Sequence, residues 1–280
     1  MRVVVFGSSG MVGASIVTKL RSQPQLSVIA ESRADTALRL DDLDYIGEVL
    51  SGSDLAVNAV GILRNHPSYP NDDYRRLAIA VNSAWPIALS RIAAESGARV
   101  FHVSTDAVFA PGTEALGEDA AIGPTEPYGL SKAMGEATAP HVLNVRCSVV
   151  GPTRRGGRSL WDWLLSQPKD AVVPGYATYS WTGCTNAQLA TLVQDLVKPE
   201  SFDSVRSTGS CQHFVPNEAV TKFELLTEIA RRFRPDLTVV PMPEIEPSLG
   251  RPLASQTGAL RTAFSGVIGW DHALDELKSQ

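Results

Sequence analysis

The chain has 280 residues, of which 44% are hydrophobic and 20% charged, with a formal net charge of −5 and a pI near 5.6. This is the composition of a soluble globular protein, and it excludes a fibre or a disordered tail. Basic residues are not gathered into long runs, so no attraction to nucleic acid or membrane is expected, and the expected partner is a small molecule.

Cys147, Cys184 and Cys211 are widely spaced and form no Cys-x-x-Cys pair, which argues against a disulfide framework or a zinc site and fits a reducing cytoplasm. His66, His102, His141, His213 and His272 are equally scattered, and no metal is expected. The apolar N-terminus is too short for a signal or membrane segment.

Arg2 to Phe6 is a β-branched run of the kind a strand covered on both faces displays. Gly7-Ser8-Ser9-Gly10-Met11-Val12-Gly13 follows directly, and Met11 to Arg21 has the apolar spacing of a helix. Strand, glycine loop and helix in this order read as a dinucleotide-binding unit. Gly7, Gly10 and Gly13 let the backbone turn and approach a pyrophosphate, while Ser9, Met11 and Val12 lie where the helix N-terminus presents its N–H donors.

Leu26 to Ala30 is the next expected strand, with Glu31 at its end. A carboxylate there accepts from ribose hydroxyls and speaks for NAD(H), whereas Arg33, assisted by Ser32, can clamp the 2′-phosphate of NADP(H). Both cofactors stay open, with a slight balance toward NADP(H). Asp42 either faces the adenine edge or caps a short helix. Leu55 to Val60 forms a third strand whose end, Asn58-Ala59-Val60-Gly61, lets Ala59, Val60 and Gly61 pass close to a cofactor. Asn82 is expected to bond backbone across the sheet. Val100 to Ser104 then delivers Val103, Ser104, Thr105 and Asp106 to the carboxyl edge, where open α/β sheets bind ligands.

Tyr128 and Lys132 lie one turn apart on a single helix face. A nearby ammonium favours a phenolate, so the pair is expected to bring the tyrosine closer to neutrality.

The ordered set of Gly7-x-x-Gly10-x-x-Gly13, Asn58-Ala59-Val60-Gly61, Val103-Ser104-Thr105-Asp106 and Tyr128-Gly129-Leu130-Ser131-Lys132 resembles the extended short-chain dehydrogenase/reductases over roughly residues 1 to 155. Within them, Ser-Thr-Asp before Val108-Phe109, Glu118-Asp119 before Pro124, Gly135-Glu136 and Arg146 to Pro152 look most like the dTDP-4-dehydrorhamnose reductase branch. Ala107 stands where those proteins often carry an aromatic, and Ala110-Pro111 where they carry Asp-Gly, so different substrate packing is expected.

The resemblance implies a Rossmann-type α/β fold, a doubly wound parallel sheet in residues 1–150. Residues 151–280 are then mainly a smaller C-terminal substrate lobe with segments that return to the sheet. It also implies NAD(P)H-dependent reduction of the 4-keto group of a nucleotide-linked deoxyhexose. Tyr128 gives the proton, Lys132 holds the nicotinamide ribose and steadies the phenolate, and Thr105 donates to the carbonyl oxygen. Asp106 either accepts from a sugar hydroxyl or satisfies loop donors.

Arg154, Arg155 and Arg158 on a glycine-rich loop are expected at the substrate diphosphate, although a solvated basic loop is an open alternative. Trp181, in a Tyr/Ser/Thr/Gly segment, is expected to reach the ligand, whereas Trp161 and Trp163 read as core-anchoring. Arg251-Pro252 resembles an Arg-Pro near the substrate in related reductases. The proline-rich stretch 234–252 is expected to be extended. A homodimer, an epimerase or dehydratase of the same superfamily, and a non-catalytic subunit resembling the methionine adenosyltransferase beta subunit remain alternatives.

Overall fold

Six parallel strands carry the molecule. In chain order the first half consists of β1 (Arg2–Phe6), α1 (Met11–Arg21), β2 (Ser27–Glu31), α2 (Leu43–Leu50), β3 (Leu55–Asn58), α3 (Asp72–Ala78), α4 (Trp85–Ser96), β4 (Arg99–Thr105), α5 (Pro127–Ala133) and β5 (Val142–Cys147). The second half adds β6 (Val149–Val150), α6 (Leu160–Leu165), β7 (Val172–Tyr176), β8 (Ser180–Trp181), β9 (Cys184–Thr185), α7 (Asn186–Asp195), α8 (Pro199–Ser207), β10 (Cys211–His213), β11 (Val220–Thr221), α9 (Lys222–Phe233), β12 (Thr238–Met242), α10 (Ala259–Ala263) and α11 (Trp270–Glu276). The computed structural model describes residues 1–34, 36, 39–154, 157, 159–242 and 250–279.

The sheet order is β10-β5-β4-β3-β1-β2, so the chain reverses its direction of travel between β1 and β3. That switch point opens a crevice at the carboxyl ends of the strands. Alternation along β1 explains the layering. Val3 and Val5 enter a core with Ile16 and Leu20 of α1 and Leu189 and Val193 of α7, whereas Val4 and Phe6 enter a second core with Ile46, Leu50, Trp85 and Leu89.

A third core, around Trp161, Leu164, Val173, Trp181, Leu225, Ile229 and Trp270, belongs to the second half and forms the smaller lobe. The second half also returns to the main sheet, because β10 pairs in parallel with β5. Helix α3 continues through a π-helical turn into α4, and the run Asp72–Ser96 is long and apolar enough to cross a membrane by length and composition. Here its Tyr74, Trp85 and Leu89 are buried in the protein, as in a core helix.

Just beyond the C-terminus of α5, Glu136 meets Arg146 of β5 inside the protein, with Arg146 Nη2 2.7 Å from Oε2 and Nε 2.9 Å from Oε1. Ser104 of β4 donates to Oε1 at 2.6 Å. Both charged side chains are under 5% exposed, so each depends on the other for its solvation. Glu136→Ala should therefore cost about 3–5 kcal/mol in denaturant unfolding. Glu136→Leu combined with Arg146→Met should recover much of that loss.

Candidate active site

The loop between β1 and α1 turns through Gly7 at φ 84°, and a Cβ on Gly13 would lie 2.2 Å from the Gly7 carbonyl oxygen. Only glycines allow the helix to start this close to the strand. A cavity of 470 Å³ opens beside this turn, lined by Gly7, Ser9, Gly10, Arg33 and Arg39 and by Ala59, Val60 and Gly61 beyond β3. Gly10 caps α1 without a side chain, which leaves the helix N-terminus to an anion. The cavity, its guanidiniums and the bare helix end fit a phosphorylated dinucleotide. Met11 and Val12 begin α1, with Val12 packed against the core.

Glu31 is placed differently from the ribose role expected of it, and Asp42 takes the capping role that was one of its two open readings. Glu31 is 4% exposed and accepts from Thr36 Oγ1 at 2.6 Å and from the Tyr45 hydroxyl at 3.2 Å, so its carboxylate ties β2 to α2. Asp42 caps α2 by accepting from Tyr45 N and does not line the cavity. Arg33 does line it, together with Arg39.

The register of β3 against β4 sets Asn58 beside His102, so Thr105 and Asp106 emerge next to the cofactor crevice. Helix α5 packs below them. A Cβ on Gly129 would lie 2.0 Å from the Ala107 carbonyl oxygen, and this contact seats Tyr128 beside Thr105. Lys132 is buried and donates to the Val103 carbonyl at 2.7 Å, with His102 Nε2 at 3.3 Å.

The expected depression of the tyrosine is corrected by this geometry. Burial pushes the Tyr128 phenol well above its ordinary value, only partly opposed by the Thr105 hydroxyl, and Lys132 Nζ is spent on the β4 backbone. Burial also pulls Lys132 down to about 8, against the raising influence of Glu136 and Cys147.

Thr105 Oγ1 donates to Asp106 Oδ1 at 2.9 Å and accepts from Ala107 N at 3.2 Å. Burial raises the Asp106 carboxyl, while Thr105, Lys222, Arg251 and Arg64 oppose the shift. Three of these neighbours are cations brought from distant parts of the chain. Arg64, in the loop after β3, lies 6.0 Å over the Tyr128 ring and pairs with Glu126 at 3.0 Å. Lys222 begins α9 and stands 4.3 Å over the Trp181 ring. Arg251 is 5% exposed and donates to Phe109 O at 2.8 Å and to Glu126 at 3.3 Å, which makes it a buried clamp on this wall.

Arg64, Glu126 and Lys222 join this cluster without belonging to any of the motifs above. Their local marks in the chain are Glu126-Pro127 ahead of Tyr128 and the Thr-Lys that opens α9.

Trp181 is corrected too. It is 2% exposed, donates to Ser148 Oγ at 2.7 Å and stacks on Trp270 at 5.1 Å, so it is a wall of the lobe rather than an open ligand platform. Arg154 lines a groove with Met11, Ser15 and Thr18 of α1 and Ala187 of α7, away from Tyr128 and Asp106. Arg155 and Arg158, like prolines 243 and 247, lie outside the described residues. Among the described residues, no group of three or more His, Cys, Asp or Glu side chains could hold a metal ion.

Burial lowers Lys222 to about 8 from its ordinary 10.5, so its ammonium costs folding stability. Lys222→Met should raise stability by about 1–2 kcal/mol below pH 8. The unfolded chain holds that proton more tightly, so the gain should shrink as pH climbs from about 8 to 10.5, as read from thermal unfolding across that range.

Comparison with known proteins agrees with this architecture. A dTDP-4-dehydrorhamnose reductase of Mycolicibacterium smegmatis is 25% identical, over 98% of this chain and 84% of its own length. Among solved structures, a dTDP-4-dehydrorhamnose reductase from Clostridium acetobutylicum superposes with a TM-score of 0.80 at 20% identity, covering 100% of this chain and 99% of its own. The Bacillus anthracis enzyme of the same name, solved with NADP, also gives 0.80 at 16% identity, with coverages of 99% and 98%. The profile of the RmlD substrate binding domain family matches residues 1–277, and the chain belongs to that family.

Proposed function

We propose that the protein is an NADPH-dependent reductase of the 4-keto group of a nucleotide-linked deoxyhexose, acting as the dTDP-4-dehydrorhamnose reductases do. The observation that carries this reading is the meeting of Tyr128, Thr105 and Lys132 at the carboxyl edge of β4, next to the cavity of the glycine loop. When bound, the dinucleotide supplies the hydride. Ser9, Gly10 and the first N–H groups of α1 hold its pyrophosphate, and Arg33 with Arg39 holds the 2′-phosphate.

Thr105 fixes the ketone oxygen, and Tyr128 passes its proton to that oxygen as charge develops there. A phenol held high by burial is a secure proton store in the resting site. Lys132 offers its ammonium to the ribose and, through it, draws the proton balance toward transfer. Asp106 accepts from the sugar hydroxyls, and Arg64 with Lys222 answers the diphosphate across the cleft.

Oxidation of NADPH with a panel of dTDP-, UDP- and GDP-linked 4-ketohexoses tests the reading, and no turnover with any of them would overturn it. Tyr128→Phe should lower turnover by about 10²-fold or more while NADPH affinity stays within about twofold. Arg33→Ala should weaken NADPH by about tenfold and leave NADH little changed, which separates the 2′-phosphate clamp from the rest of the cofactor site.

A further inference from the structure

His102 lies in the middle of β4, 1% exposed, and nothing in the reaction above uses it. Its Nδ1 is 3.0 Å from Asn58 Nδ2, and its Nε2 is 3.3 Å from Lys132 Nζ. The orientation of the Asn58 amide is fixed from the other side. Asn58 Oδ1 accepts from Trp85 Nε1 at 3.0 Å and from Val60 N at 3.2 Å, so the amino group must be the end that faces the imidazole. An amino group only donates, hence Nδ1 carries the lone pair. Burial holds His102 well below its ordinary pKa, so the ring is neutral and its one proton sits on Nε2.

That proton points at Lys132 Nζ. An ammonium has no lone pair to receive it, whereas a free amine accepts it and still donates to Val103 O. With Lys132 charged, two donors face each other in a dry site. Turning Asn58 over to relieve them would strip Trp85 Nε1 of its acceptor. The other ionisable groups around Nζ are Glu136, already engaged by Arg146 and Ser104, and Cys147 of β5.

We propose that His102 is a positioning residue for Lys132: as the Nε2–H tautomer it donates to Nζ, holds it at the β4 carbonyl, and keeps it ready to take up a proton when cofactor hydroxyls supply acceptors. The proposal rests on Lys132 reaching the cofactor ribose, as in the reading above. It gives the strand histidine a function that packing alone would not need.

The tautomer is read directly from long-range nitrogen–proton correlation spectra of the ligand-free protein, with His102 assigned through its backbone. A protonated Nε2 and an unprotonated Nδ1 are expected. An Nδ1–H ring or an imidazolium would overturn the proposal. Because no substrate or turnover enters this measurement, failure of the ketosugar reaction is distinguishable from failure of the tautomer.

The coupling is read by calorimetry of NADPH binding in buffers of different ionisation enthalpy. At pH 8.5 the wild type should take up about 0.7 proton, given a lysine that titrates near 8. His102→Phe should take up less than half of that and shift the pH dependence of NADPH affinity upward. Unchanged uptake in a folded His102→Phe would overturn the coupling, and if that variant does not fold, the wild-type uptake and tautomer decide the matter.

Discussion

The ion pair between Glu136 and Arg146 is the constraint on which the rest of the site depends. Two charges enclosed by protein tolerate little displacement, because each supplies the opposite charge that offsets the other's lost hydration. Arg146 is fixed by the sheet, so Glu136 is fixed by Arg146, and with it the end of α5. Ser104 bonds the same carboxylate, and Cys211 of β10 lies 3.6 Å from it. One buried pair thus locks the helix that carries Tyr128 and Lys132 to β4, β5 and β10 together.

Around this lock the site divides by electrostatics. On the cofactor side the donors are backbone groups and guanidiniums at the rim, which suits a polyanion that arrives from water. Across the cleft a buried carboxyl, Asp106, is surrounded by Arg64, Lys222 and Arg251, and the tyrosine between the two sides is uncharged. Desolvated charges of both signs are expensive to assemble without a ligand. The cleft is built to be completed by one whose hydroxyls and phosphates replace the missing water.

Much of this was legible because it is local. The β-branched run, the glycine turn and the helix after it are contiguous, and β1 through β4 appear where alternation and apolar runs place them, within a residue or two at the ends. What failed was context. Trp181 sits among Tyr, Ser, Thr and Gly and therefore reads as open loop, yet it occupies a short strand whose indole is covered by Trp270 from far along the chain. The Tyr128–Lys132 spacing correctly puts both on one face. It says nothing of the Val103 carbonyl and His102 that engage the lysine, or of the burial that lifts the phenol. Arg64 and Lys222 reach Asp106 only through tertiary packing, which no short-range pattern encodes.

The return of β10 to the sheet has a consequence for how the chain can be divided. Residues 1–150 look like a self-sufficient nucleotide-binding half, but β5 would then be an edge strand with Val142, Leu143 and Val145 behind an unpaired row of backbone groups. Helices α7 and α8, which cover one face of the main sheet, would be gone as well. Such a fragment presents a flat apolar edge to its own copies, the geometry from which strand-to-strand aggregation grows. The second half is therefore also the part that covers the edge and one face of the main sheet, and β10 cannot be cut from it without uncovering β5.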